Sequence, residues 1–103
     1  MENRLKLKIF PAAQSDLEQI FRYISVELCN PSAAAGLIED FEKALDNVCV
    51  FPTSCPLTDN EYVKDMTLRK LNVKNYIVFY RATDSEIQVV RVIYGMRDYS
   101  VIL

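Results

Sequence analysis

The sequence predicts an α+β fold of order β-α-α-β-β-β, in which an antiparallel helix hairpin packs on one face of a mostly antiparallel, twisted sheet. Three observations lead there. The runs YIVFYRA and EIQVVRVIY are so rich in Val, Ile, Tyr and Phe that they suit a pleated surface, and Thr83, Asp84 and Ser85 between them are turn residues, so the pair reads as a β-hairpin. Upstream, two stretches carry apolar residues spaced by three and four, the pattern of amphipathic helices. So few residues join these stretches that the helices must fold back on each other.

Taken in order, Leu5, Leu7 and Ile9 alternate with Lys6, Lys8 and Phe10, a half-buried strand expected to join the sheet. Pro11 then opens the first helix at a position where its missing N–H costs nothing, and Leu17, Ile20, Phe21, Ile24 and Leu28 form the apolar stripe. Asp16, Glu18 and Arg22 take the other side. Asn30 followed by Pro31 ends that helix and starts the next, because the residue before proline avoids the helical region and asparagine is a good N-cap. The second stripe is Ala34, Leu37, Ile38, Phe41, Ala44, Leu45 and Val48. Phe51 to Asp65, with two prolines and no sustained period, reads as a loop crossing from helices to strands. Leu68 to Val73 is a further strand, broken from Tyr76 by Lys74 and Asn75. No repeat or low-complexity tract divides the chain, so residues 1–103 are expected to form a single domain.

Composition narrows the function classes. Half of the residues are hydrophobic and only two are glycine, which excludes a disordered chain. No apolar run approaches the ~20 residues that span a bilayer, and the opening MENRLKLKIF is no signal-peptide core, so a cytoplasmic protein is expected. Cys29, Cys49 and Cys55 lack CxxC spacing and share the chain with no histidine, so they read as reduced thiols and neither a metal nor another cofactor is expected. Without histidine, any proton transfer must use Glu, Asp, Tyr, Lys or the substrate itself.

The formal net charge is −2 but is unevenly spread: residues 1–60 hold five Lys/Arg and nine Asp/Glu, residues 61–103 seven and five. The strand arginines as a group suggest an anionic target or an acidic partner. A plainer reading pairs Arg69, Arg81 and Arg91 with helix acids such as Asp16 or Glu42, and makes Tyr76 and Tyr80 packing residues. Strand alternation sets Leu68, Lys70 and Asn72 against Arg69, Leu71 and Val73, and puts Arg91 on a side with Ile87, Val89 and Ile93. Arg97 lies past Gly95, where a bend can re-aim the strand end. Because the helices cover one face of the sheet, the other is where function is expected.

In AxxDLEQIFRYI, NPSAAAGLIEDFEKAL, the FP that follows, LRKLNVKNYIVFYR and the closing VVRVIYGMRDYSVIL, the chain resembles the RelE/ParE family of toxins from type II toxin-antitoxin (plasmid stabilisation) systems. The resemblance runs over nearly the whole length and implies a toxin neutralised by an adjacently encoded antitoxin, whose C-terminal segment wraps it in a hetero-oligomer. Arg69, Arg81, Arg91, Tyr94 and Arg97 are the residues expected to meet that antitoxin or the toxin's target. RelE-like members cut messenger RNA in the ribosomal A site; ParE-like members inhibit DNA gyrase. The ribonuclease branch uses a metal-independent set of Lys, Arg and a C-terminal Tyr. Lys70 falls on one of its strand lysines and Arg97 on its arginine after the last-strand glycine, with Tyr99 as the nearest tyrosine. Leu68, Ile77 and Leu103 stand where a second lysine, an arginine and the C-terminal tyrosine would be. That loss, and an acidic balance unsuited to entering a ribosome, favour the ParE-like branch. The expectation is therefore a growth-inhibiting toxin that binds a protein target, DNA gyrase. The alternatives are an mRNA endonuclease using Lys70, Arg97 and Tyr99, or an inactive homologue that only binds antitoxin.

Overall fold

Residues 4–58 and 67–95 are described by the structure, a computed structural model. The chain runs β1 (Lys6–Ile9), α1 (Pro11–Arg22), a wide π-helical segment (Tyr23–Glu27), α2 (Pro31–Val50), β2 (Arg69–Val73), β3 (Tyr76–Ala82) and β4 (Glu86–Tyr94). The predicted α+β order is the observed one.

The four strands form one sheet in the order β1-β4-β3-β2. β2, β3 and β4 form an antiparallel meander, and β1 adds in parallel at the far edge of β4, from Lys6 opposite Glu86 to Ile9 opposite Val89. A parallel partner needs a crossover, and the two helices begin it. The meander's turns follow their sequences. Thr83 Oγ1 accepts the N–H groups of Ser85 and Glu86 at 3.3 and 3.0 Å. Lys74 turns the other hairpin in the left-handed region, φ 55°.

Each helix starts as its sequence requires. Pro11 occupies the first turn of α1 after an extended Phe10, and Asn30 Oδ1 caps α2 by accepting the N–H of Ala33 at 3.1 Å. The first helix widens before it ends: Leu28 N–H reaches back five residues to Tyr23 C=O, and Ser25 Oγ donates to Phe21 C=O at 2.7 Å.

One face of the sheet takes both helices. Ala13 from α1 and Leu37, Phe41 and Leu45 from α2 pack on Val73, Val78, Val89 and Val92; beside them Val48 and Cys49 pack on Tyr80 and Ile87. The opposite face is not an open platform along its middle. Leu68, Ile77, Phe79 and Ile93 form a separate buried cluster there.

A β-bulge corrects the expected placement of Arg91. Phe79 lies opposite Arg91 but Tyr80 lies opposite Val89, so β4 carries an extra residue, Val90. The insertion resets the alternation. Ile87 and Val89 face the helices, whereas Arg91, opposite Phe79, leaves the strand on the side of Ile93, and its long side chain still brings the guanidinium to Asp16 of α1.

Candidate functional site

The bulge and the early end of β1 together create the most developed polar feature of the described residues. β1 leaves β4 where Phe10 N–H donates to Val89 C=O, so β4 continues past its partner. α1 then supplies a carboxylate in place of a strand. Asp16 Oδ2 accepts the Val92 N–H at 2.9 Å and Arg91 Nε at 2.8 Å, while Oδ1 accepts Arg91 Nη2 at 3.0 Å. Such a fork-to-fork pair is geometrically specific. The side chains of Arg91 and Asp16 are only 26% and 12% exposed, and hydrogen bonding to Asp16 raises the Arg91 pKa further, against the opposing effect of burial. The plain reading of Arg91 as the partner of a helix acid is thus the observed one.

Beside this pair lies a cleft of about 660 Å³ between α1 and the end of β4, lined by Asp16, Ile20, Tyr23, Tyr76, Val92 and Tyr94 among others. Tyr76 stands at its base, 6.0 Å from the Phe41 ring and in edge-to-face contact with Tyr94 at 5.7 Å. Burial pushes the Tyr76 phenol up, and its neighbours Tyr94 and Tyr23 push the same way. Tyr23 and Tyr94 are about half exposed, at 53% and 45%, so the cleft has a rigid aromatic floor and two accessible aromatic walls. Surfaces of that kind bind protein side chains, with large contact area at little entropic cost.

The predicted site residues divide between places. Tyr94 lines the cleft and Arg91 braces it through Asp16. Arg69 sits at the start of β2, where Nη1 donates to Cys55 C=O at 2.7 Å, so it fastens the loop after α2 to the sheet edge. Arg81 is half-buried near the end of β3, opposite Gln88 on β4. Lys70 is half-buried opposite Phe79. Arg97 and Tyr99, with Leu103, lie outside the described residues. Sequence reasoning missed Tyr23 and Ile20 as cleft walls; the available signal was a tyrosine within the helical stripe, three residues after Ile20 and so on its side of the helix.

Tyr80, expected as packing, is fully buried and donates its hydroxyl to Pro52 C=O at 3.1 Å. Burial, the first cause, and its bond with Cys55 raise its pKa. The thiols of Cys29, Cys49 and Cys55 are free, and burial raises that of Cys49. Among the described residues no group of three or more His, Cys, Asp or Glu is placed to hold a metal ion, and no helix is long and apolar enough to cross a membrane.

The family model of the ParE toxin of type II toxin-antitoxin systems, parDE, matches residues 7–99. The chain belongs to the ParE toxin family. No curated protein sequence matches it. Among solved structures, a chain of the chromosomal ParDE toxin-antitoxin system from P. aeruginosa superposes with a TM-score of 0.72 at 21% identity, covering 90% of this chain and 98% of that one. A chain of the toxin-antitoxin complex RelBE2 from Mycobacterium tuberculosis does so with a TM-score of 0.60 at 15% identity, covering 88% and 91%. At these identities the two structures speak for the fold, which this ParE-family toxin shares with both.

Proposed function

We propose that this ParE-family chain arrests growth by binding a protein target, DNA gyrase, and not by cutting RNA. One observation carries the reading. The positions at which the ribonuclease branch would place a second lysine and an arginine hold Leu68 and Ile77, which are 3% and 7% exposed and lie in one apolar cluster with Phe79 and Ile93. A phosphoryl-transfer site needs cations aimed at the 2′-hydroxyl and the developing phosphorane charge. A buried apolar cluster supplies neither, and Lys70 beside it is a remnant of the set. The net charge of −2 argues against entry into an RNA-rich site as well.

In the same reading an antitoxin neutralises the toxin in the cytoplasm, as a hetero-oligomer. Its apolar and acidic side chains meet the tyrosine cleft and the basic strand half, with Tyr94, Arg81 and Arg97 in contact. The 103 residues act as one domain.

The test is to induce the chain without antitoxin, pulse-label DNA and protein synthesis in parallel, and assay supercoiling by purified gyrase. An early fall in DNA synthesis with blocked supercoiling is expected. Unaffected supercoiling at saturating toxin would remove the gyrase assignment. An early fall in protein synthesis with new message ends would restore the nuclease, and normal growth would leave only antitoxin binding.

A further inference from the structure

A second concavity, about 600 Å³, lies along α1 and is walled by the helices alone. Its apolar part is Leu17, Phe21 and Val26 with Ile38 of α2; Phe21 is 43% and Val26 62% exposed. The π-helical segment is what puts Val26 there. Five residues after Phe21, an α-helical side chain would point well away from it; the wider turn at Tyr23–Glu27 swings Val26 back onto the Phe21 face. The result is a contiguous apolar strip in which Leu17 and Ile38 also pack against the core, while Phe21 and Val26 meet water.

Glu18 and Arg22 also line the strip, one turn apart on α1. Among the described residues neither forms an ion pair, although their spacing permits one; Glu18 meets only Gln14 Nε2, at 3.4 Å. An apolar strip with one charge of each sign, a turn apart along one flank, is complementary to itself when a second copy runs antiparallel. We infer that this strip is the contact between two copies of the chain, with α1 packed antiparallel on α1 about a twofold axis. Such an interface requires each residue to meet its counterpart twice. An axis passing between Glu18 and Arg22 sets Glu18 opposite Arg22 of the second copy, and the reverse. One turn farther out, Gln14 falls opposite Val26. The two Phe21 rings lie on either side of the axis and fill the centre with Leu17.

The charge arrangement selects a second copy over another occupant, because an unrelated helix would have to bring both signs in the same order. The inference stands apart from the reading of the toxin's target, since its measurement is a mass and not an effect on growth. Sedimentation equilibrium of the purified full chain over a concentration series is expected to approach twice 11.9 kDa. Glu18→Arg and Arg22→Glu, both at exposed helix positions, each place like charges across the axis and weaken the dimer by about tenfold. The double swap Glu18→Arg/Arg22→Glu restores opposite charges and brings the dissociation constant back to within about threefold of the parent. Circular dichroism checks that every variant is folded. A chain that stays monomeric at all concentrations, as when the strip serves only an antitoxin segment, overturns the inference. So do single swaps without effect, or a double swap no better than either single.

Discussion

Asp16 holds Arg91 and the backbone of Val92 with one carboxylate, and in doing so it ends the sheet. Strand β4 has a partner on that edge only as far as Val89, and Asp16 satisfies the N–H that β1 would otherwise have taken. Replacing Asp16 with Ala removes three hydrogen bonds, two of them to a half-buried guanidinium. The expected loss is about 2–3 kcal/mol of unfolding free energy, set by typical costs for bonds to charged groups and discounted for partial exposure. Asp16→Asn keeps an acceptor for Val92 and is expected to lose about half as much. Urea denaturation measures both; a loss below about 0.5 kcal/mol for the alanine variant would show that the carboxylate is not what holds this edge.

The apolar cluster on the second face gives a test of the broken nuclease set. If Leu68 and Ile77 are core, then Leu68→Lys or Ile77→Arg does not rebuild a site but buries a charge. The expected cost is about 2–4 kcal/mol each, seen as a lower thermal midpoint. A variant of undiminished stability that cleaves ribosome-bound message would overturn the assignment of this face to packing.

Most of the fold was legible because each level of the sequence agrees with the next. Pro11, Asn30-Pro31, Thr83-Asp84-Ser85 and the two apolar stripes specify element ends locally, and the structure places them there. Arg91 was legible only in part. Its pairing with a helix acid followed from charge, but its side of the sheet did not, because one extra residue at Val90 reverses every later alternation and leaves no mark on composition. The tyrosine cleft was harder still. Tyr23, Tyr76 and Tyr94 come from a helix end and two strands, and only the crossover brings them together. Tyr94 could be singled out as a contact residue, but nothing in the sequence joins it to Tyr23.

Backbone geometry gives a paired prediction of opposite sign. Asn30→Ala removes the side-chain cap from α2 and is expected to cost about 1 kcal/mol. Lys74→Gly relieves a left-handed conformation and is expected to stabilise by roughly 0.5–1 kcal/mol, because the ion pair it forfeits, Nζ to Asp40 at 3.8 Å, is exposed and weak. Both are read from chemical denaturation midpoints. A destabilised glycine variant would mean that the Asp40 contact outweighs the strain.

Tyr80 makes alkaline stability a reporter of the loop after α2. Its hydroxyl is buried and donates to Pro52 C=O, so the folded state holds the proton more tightly than the unfolded chain, whose phenol titrates near 10. A folded pKa above the unfolded one means that this contribution is complete below about pH 10, where both states are protonated. Above it the unfolded state sheds its proton first, and stability falls as pH rises toward the folded value. Tyr80→Phe is expected to cost about 1–2 kcal/mol at neutral pH, through the unpaired Pro52 carbonyl. It is also expected to flatten the stability profile between about pH 10 and 11.5, in proportion to the phenol removed. Denaturant titrations at a series of pH values separate the two effects. A variant with the same alkaline slope as the parent would show that another group, and not Tyr80, carries the loss.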